Sequence, residues 1–474
     1  MTESNAAADR VWRSSGRLAD GREIIYFDEA PGLGREEFGD GRDLAPMAMP
    51  RDGAAVSQGI GLGGGLRWDP LLGEWVMFAT RRKGRPVLPP ADQCPLCPSR
   101  PGRRTEIPAP DYDVVVFENR FPVLRDAAGI ARRTATLAYS APAADSRLGA
   151  GPLPLVQRPG HGRCEIVCFT AEHDASFADL SLRRVGTVLA ALADRTRVLG
   201  AMPGVRHVYC FENRGEEVGV TLHHPHGQVY AFPFVPPRTS RLLARARAHR
   251  ASTGRNLFDD LVASELADGR RVVARNKHWI AFVPRAARWP YEVMLFPTAR
   301  VPDLVALGGD ARAGFGPVYR EVLGRLDGLF GAPMPYIAAW QQAPVRGRVA
   351  RAEFAVHLQV LPVGRDPGKL SSWRGPNQRP ACGPTTCFRR WRLAGCGASD
   401  GGTPPGARGS SGAKLGANAG RRRAAQCDIR RRSVQLAGAS GDAGRRPATV
   451  GQRLTSEGSL VRTQLRPCPD RASM

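Results

Sequence analysis

Two stretches of this sequence repeat one pattern and suggest how the chain folds. The first reads ENRFPVL at residues 118–124 and EIVCFTAEHDASFADL at residues 165–180; the second reads RNKHWIAFVP at residues 275–284 and YEVMLFPTARVPDL at residues 291–304. Each runs from an Asn through an aromatic and apolar strand to a strand that begins near a Glu, then to a polar turn and a helix start. A pattern that recurs at this long period predicts two copies of one α+β unit.

The positive charge of the chain is concentrated near its C-terminal end. Of 474 residues, 68 are Lys or Arg and 44 are Asp or Glu, so the formal net charge is +24. Residues 371–474 contain 19 of the basic residues, only 5 of the acidic ones and five of the ten Cys, without helix or strand periodicity. Such a segment buries too little apolar surface to offset its ordering entropy. We therefore expect residues 371–474 to be a disordered, low-complexity basic tail.

The beginning of the chain carries no sign of export. Residues 1–10 have neither a basic start nor an apolar run, and no apolar stretch approaches the ~20 residues of a membrane helix. These features predict a cytoplasmic protein with no membrane partner. In that compartment cysteines stay reduced and bind metals more often than they form disulfides.

A C-x-x-C pair lies in a proline-rich loop, Cys94-Pro-Leu-Cys97. This spacing allows two thiolates to reach one Zn²⁺ from a tight turn. A redox C-x-x-C pair normally begins a helix, which the flanking prolines disfavour. A zinc site needs two further ligands. Histidines are better candidates than Cys164 and Cys168, which we interpret as small buried thiols on a strand.

Three histidines crowd into four positions in His223-His224-Pro225-His226-Gly227-Gln228. On an extended segment alternate residues face one side, so His224, His226 and Gln228 share a face. A neutral imidazole can attack phosphorus, and a neighbouring amide can donate to the phosphoryl oxygens as negative charge develops. The alternative, a surface patch of histidines, does not explain why they lie between two strand-like runs.

Together these motifs resemble the galactose-1-phosphate uridylyltransferase family of the histidine-triad superfamily. The resemblance rests on the His-Pro-His-Gly-Gln segment, on FENRG at 211–215, on the C-x-x-C loop, on RWDPLLGEW at 67–75 and on ENRFP at 118–122, and it covers residues 17–370. It implies an α+β fold of two tandem histidine-triad-like domains, each an antiparallel sheet with packed helices, followed by the disordered tail.

Composition and sequence pattern, together with the resemblance, predict the domain organisation. Residues 1–16 are expected to be disordered, and residues 17–237 to form the catalytic domain with its zinc loop. Within that domain, residues 49–66 are a Gly-rich linker or insertion. Residues 238–370 are expected to form a second, truncated domain, in which residues 242–267 have the apolar spacing of one helix.

The family's functional residues map onto this sequence one by one. His226 corresponds to the nucleophile that becomes uridylylated, and Gln228 to the amide that contacts the transferred phosphoryl group. The implied Zn²⁺ ligands are Cys94, Cys97, His173 and His224. Further residues are implied to bind the substrate: Asn119 and Asn213 at the nucleotide, and Arg82 and Arg85 at the phosphates.

The implied reaction is ping-pong transfer from UDP-glucose to galactose 1-phosphate, giving glucose 1-phosphate and UDP-galactose in galactose metabolism. The family also implies a homodimer, provided that the C-terminus is intact. Leu242 and His357-Leu-Gln359 stand where some members carry a second metal site, so we expect no second metal. Hexose preference cannot be read from the sequence.

Two other functions compete with this one. A related dinucleotide or nucleotide-sugar phosphorylase or hydrolase would use the same histidine. A zinc-stabilised nucleic-acid-binding protein would explain the net positive charge of the chain. Most of that positive charge lies in residues 371–474, however, which disfavours a nucleic-acid partner.

The tail itself has the composition of a frameshift product. Family members of the actinobacterial type continue Lys-Leu-Lys-Phe-Leu-Ala-Gly-Ser-Glu, whereas this chain reads KLSSWRGPN at residues 369–377. These residues can be encoded AAG CTC AGT TCC TGG CGG GGT CCG AAT, and one A added after CTC restores the family's continuation. The hypothesis predicts that the full reaction is weak or absent in this chain, because the lost segment contacts the hexose phosphate.

Overall fold

The computed structural model describes residues 10–31, 40, 65–78, 87–125 and 156–370. Its strands are β1 (Trp12–Arg17), β2 (Glu23–Asp28), β3 (Gly65–Asp69), β4 (Glu74–Phe78), β5 (Val114–Glu118), β6 (Gln157–Pro159), β7 (Arg163–Cys168), β8 (His207–Arg214), β9 (His226–Phe232), β10 (Val272–Arg275), β11 (Trp279–Phe282), β12 (Val293–Pro297), β13 (Tyr336–Gln341), β14 (His357–Pro362), β15 (Gly364–Asp366) and β16 (Lys369–Leu370). Its α-helices are α1 (Leu182–Ala201), α2 (Pro237–Thr253), α3 (Leu257–Asp268), α4 (Gly309–Gly328) and α5 (Arg348–Glu353).

The central feature is an antiparallel sheet of eleven strands in the order β1-β2-β5-β7-β9-β8-β13-β14-β12-β11-β10. From β2 to β8 the first half has the order β2-β5-β7-β9-β8, and the second half has the equivalent order β10-β11-β12-β14-β13. One helix follows the third strand of each half, α1 in the first and α4 in the second. The repeat predicted from the sequence is thus confirmed, and the two halves are related by approximate two-fold symmetry.

The halves join edge to edge rather than forming separate compact units. Strand β8 pairs with β13, with Phe211 opposite Ala339 and Asn213 opposite Ile337. Helices α1 and α4 cover one face of the whole sheet and share one apolar core with it. The predicted boundary between the two domains, at residues 237/238, lies at the start of α2, after β9 has ended. The sheet nevertheless continues from the first half into the second.

The opposite face is covered differently in the two halves. In the first half, the small sheet β4-β3-β6 packs through Leu66 and Trp75 against aromatic residues of β8 and β9. In the second half, α2, α3 and α5 cover the sheet with an apolar cluster around Phe258, Phe296 and Phe354.

Two expectations about secondary structure are wrong. Residues 12–16 are not disordered: they belong to β1, whose alternating exposure matches an edge strand and which pairs with β2. The helix expected over 242–267 is two helices. Gly254 ends α2 in the left-handed conformation at φ 72°, and Asn256 caps α3 by accepting from the backbone N–H groups of Phe258 and Asp259.

Other expectations fall outside the described residues. These are residues 1–9, most of the Gly-rich segment 49–66, and the tail 371–474; only Gly65 and Leu66 of the Gly-rich segment are described, at the start of β3. No helix in the described ranges is long and apolar enough to cross a membrane.

Candidate functional site

The predicted metal ligands come from three separated segments and converge on one point. Cys94 and Cys97 lie in the loop before β5, His173 follows β7, and His224 precedes β9. One ligand atom from each of the four residues lies within 4.8 Å of every other. The Cys97 Sγ is 3.4 Å from His173 Nδ1 and 3.6 Å from His224 Nδ1. Two thiols and two imidazoles so arranged match the donor set of a tetrahedral metal site.

Hydrogen bonds fix His224 in the orientation that a metal ligand needs. Its Nε2–H donates to the carbonyl oxygen of Thr170 at 2.8 Å and to the Tyr112 hydroxyl oxygen at 2.9 Å. The Tyr112 hydroxyl in turn donates to the carbonyl oxygen of Leu96, at 2.9 Å, inside the C-x-x-C loop. The Nδ1 lone pair of His224 therefore faces Cys97, because a hydrogen bond from the other ring nitrogen fixes the orientation of a metal-binding imidazole.

Burial keeps His224 and Cys94 neutral when no cation is bound. It lowers the pKa of His224 to about 4, which preserves the neutral imidazole that binds metals. It raises the pKa of Cys94 to about 11, so that thiol holds its proton until a metal cation replaces it. The donor set and its hydrogen bonds fit Zn²⁺.

The candidate nucleophile, His226, lies at the first residue of β9. Its Nδ1–H donates to the carbonyl oxygen of His224 at 2.7 Å, so the lone pair of the neutral ring is on Nε2. That nitrogen is the one able to attack an electrophile. The accepting carbonyl belongs to His224, which is itself a candidate metal ligand. The candidate nucleophile and the metal-ligand cluster are therefore joined through residues 224–226.

The candidate substrate residues are distributed on the same sheet face. Gln228 follows His226 at the strand period of two, and its Oε1 accepts from the Tyr230 hydroxyl at 3.0 Å. Asn213 lies on the neighbouring strand β8, and its Oδ1 is buried and accepts no hydrogen bond from the described residues. A buried acceptor of this kind suits a ligand donor group.

The remaining predicted residues contribute less to this geometry. Asn119 is buried after β5, and its Oδ1 accepts the backbone N–H of Phe121 at 2.8 Å, so it shapes that turn. Arg82 and Arg85 lie outside the described residues. His223 is half exposed, with its Nε2 3.3 Å from Glu216 Oε1. Cys164 and Cys168 are buried thiols, as interpreted from the sequence.

Sequence reasoning missed Tyr112 and Tyr230. Nothing near Tyr112 in the chain indicates contact with His224, which is 112 residues away. Tyr230 did carry a signal, because it follows Gln228 by two positions and must share its strand face.

The chain matches two family descriptions in sequence order. Residues 65–236 match the galactose-1-phosphate uridyl transferase N-terminal domain, and residues 243–363 match the C-terminal domain of the same family. The chain is 46% identical over 354 residues to the galactose-1-phosphate uridylyltransferase of Streptomyces lividans, covering 73% of this chain and 86% of that protein.

Two further comparisons agree with these matches. The galactose-1-phosphate uridylyltransferase of Thermotoga maritima is 32% identical, with 64% of this chain and 89% of that protein covered. A solved uridylyltransferase structure is similar with a TM-score of 0.56 and 27% identity, over 70% of this chain and 98% of that one. The chain belongs to the galactose-1-phosphate uridylyltransferase family.

Proposed function

We propose that this protein transfers the uridylyl group of UDP-glucose to galactose 1-phosphate, with His226 as the nucleophile. The observation that carries the proposal is the hydrogen bond from His226 Nδ1–H to the His224 carbonyl oxygen, which leaves the attacking lone pair on Nε2. The substrates are proposed from the family, because the relatives of this chain are named galactose-1-phosphate uridylyltransferase.

The reaction proceeds in two displacements at one phosphorus. His226 Nε2 attacks the α-phosphorus of UDP-glucose, the bond to glucose 1-phosphate breaks, and a uridylyl-histidine forms. A phosphate oxygen of galactose 1-phosphate then attacks the same phosphorus and releases the imidazole. Covalent catalysis divides one difficult transfer into two easier ones.

Neighbouring side chains stabilise the charge that develops during transfer. Gln228 donates from its amide to the phosphoryl oxygens, which supports both displacements. Asn213 and Asn119 contact the nucleotide. Arg82 and Arg85 contact the phosphates, a role for which guanidinium groups are well suited.

Zn²⁺ is the metal that the cluster of Cys94, Cys97, His173 and His224 fits best. Four protein ligands leave no open coordination position, so the metal supplies structural rigidity and not a Lewis acid. The cluster requires reduced thiols, which favours the cytoplasm as the compartment.

The decisive experiment is the first half-reaction, tested with UDP-glucose labelled in its uridylyl group. The wild-type chain should retain label after denaturation, and the chain with the reading frame restored after Leu370 should also lose that label when galactose 1-phosphate is added before denaturation. Failure of the wild-type chain to take up label would contradict the proposal. If inorganic phosphate releases the label faster than sugar phosphate does, the protein is a phosphorylase of the same superfamily.

We further propose that residues 371–474 are translated out of frame from Ser371, which would remove the hexose-phosphate segment and weaken both dimerisation and the second half-reaction. The coding DNA around Lys369 tests this, because a single added base must restore the family's continuation. The chain with the restored frame should be dimeric by light scattering and active in the complete reaction. A gene in which no one-base change recovers that run would refute the frameshift.

A further inference from the structure

The hydroxyl of Tyr230 is bonded to the side-chain amide of Gln228. The two residues lie on the same face of β9, and the hydroxyl donates to Gln228 Oε1 at 3.0 Å. Within the described ranges, no protein atom accepts a hydrogen bond from Gln228 Nε2. One end of the amide is therefore occupied by Tyr230, and the donor end is available to a ligand.

The two ends of a glutamine amide are not equivalent toward a phosphoryl group. Phosphoryl oxygens carry negative charge and only accept hydrogen bonds, so they require the Nε2–H donors. The reversed amide would present the Oε1 lone pairs to the same anionic oxygens, which is repulsive. The Tyr230 hydroxyl can donate or accept, so this hydroxyl and the phosphoryl oxygens are both satisfied when Oε1 accepts from Tyr230 and the Nε2–H donors face the ligand.

Tyr230 is well placed to make this selection because its ring cannot move easily. It is 8% exposed and packs edge to face with Phe211 on β8, with ring centroids 5.2 Å apart. Phe232, two residues along β9, contacts the same ring at 6.1 Å between centroids. Packing sets the position of the hydroxyl, and the hydroxyl sets the orientation of the amide.

The second half of the sheet shows the same amide without this partner. Gln359 occupies the position in β14 that Gln228 occupies in β9, and Leu361 stands where Tyr230 does. The Nε2 of Gln359 donates to Glu292 Oε1 at 2.5 Å instead. The amide orientation thus depends on what its strand neighbours offer.

We propose that Tyr230 is a positioning residue that holds the Gln228 amide with its donors toward the transferred phosphoryl group. The inference rests on the role of Gln228 in the proposed function. On this inference, the Tyr230 hydroxyl affects the rate of uridylyl transfer and does not affect the affinity for the nucleotide.

The test is a double-mutant cycle on the first half-reaction of the full chain, measured in single turnovers with labelled UDP-glucose. Tyr230→Phe keeps the aromatic packing and removes the hydroxyl. We expect labelling of the protein to slow about fivefold, the size of one net hydrogen bond, with the half-saturating UDP-glucose concentration unchanged. Combined with Gln228→Ala, Tyr230→Phe should cause no additional slowing.

A matched control separates this effect from a general disturbance of the aromatic cluster. Tyr209 lies on β8 in contact with Phe211 and Phe232, and it has no hydrogen bond to Gln228. Tyr209→Phe should leave the labelling rate unchanged. If Tyr230→Phe labels as fast as wild type, or slows Gln228→Ala further, the inference is wrong. A wild-type chain that takes up no label would overturn the proposed function, and this inference with it.

Discussion

The two halves of the sheet contain the same short element in opposite circumstances. Strand β9 begins His226-Gly-Gln228 and strand β14 begins His357-Leu-Gln359. In each, the histidine Nδ1–H donates to the carbonyl oxygen two residues earlier, at 2.7 Å for His226 and 2.9 Å for His357. The local backbone therefore selects the same tautomer in both halves.

What differs is the layer that covers each histidine. His226 is partly exposed beside the metal cluster, whereas His357 is 1% exposed beneath α2, α3 and α5. The Phe296 ring stacks on His357 with centroids 4.4 Å apart, and burial lowers the pKa of His357 to about 4. A suitable tautomer is thus necessary for a nucleophilic histidine but insufficient without access to substrate.

The largest effect should follow from replacing each of these histidines by Asn. Asn can keep the hydrogen bond to the carbonyl two residues earlier, but it has no nucleophilic ring nitrogen. We expect His226→Asn to reduce uridylyl labelling about 10⁴-fold or more, with metal content unchanged, because His226 is no ligand. His357→Asn should leave the labelling rate per folded molecule intact. Labelling of His226→Asn would disprove the assignment of the nucleophile.

The contrast also shows how much the sequence could reveal. The repeat was predictable from a recurring sequence pattern, and the convergence of Cys94, Cys97, His173 and His224 from a C-x-x-C pair, clustered histidines and, for His173, the family resemblance. The role of His226 as nucleophile stays a prediction. The burial of His357 was not predictable, since it depends on α2 and α3, from a distant part of the chain, packing over β14 together with α5. The contacts of Tyr112 and Tyr230 also depend on strand register and side-chain packing, which no sequence spacing specifies.

The two glutamines should differ in which property they control. Gln228→Ala should slow labelling ~10²–10³-fold, as loss of one transition-state donor does, and leave the midpoint of urea unfolding unchanged. Gln359→Ala removes the donor to Glu292 Oε1. Because Glu292 is completely buried, the variant should lower the free energy of unfolding by about 1–3 kcal/mol with little change in rate. If Gln228→Ala and Gln359→Ala slowed labelling equally, the predicted difference between the two glutamines would be wrong.

The metal cluster belongs to the first half alone, since the described residues contain no second group of this kind. Cys94→Ala should reduce bound zinc from one atom per chain to none, and lower the thermal midpoint before it affects the labelling rate, because the binding energy of a structural metal contributes to folding. Cys164→Ala, which removes a buried thiol outside the cluster, is the matched control and should retain zinc. Freshly purified wild-type protein that contains no zinc would contradict the prediction.

The last comparison concerns the seam between the halves, where Glu212 of β8 is buried. Tyr336 of β13 donates to its Oε1 at 2.9 Å, Tyr319 of α4 lies at 3.5 Å, and Arg214 is the nearby cation. Burial raises the pKa of Glu212 from 4.5 to about 7. The folded protein therefore binds this proton more tightly than the unfolded chain, so stability falls as the pH rises from about 4.5 to 7 and is constant above.

Glu212→Gln keeps the shape and does not titrate, so it isolates this contribution. The free energy of unfolding of the variant, relative to wild type, should rise by about 3 kcal/mol between pH 4.5 and pH 8, as a shift of this size requires. Denaturant unfolding of both proteins across that range measures the difference, and subtraction cancels the buried histidines His207, His224 and His357, which titrate in both. A difference independent of pH would show that Glu212 is ionised in the folded protein, and that the seam tolerates a buried charge.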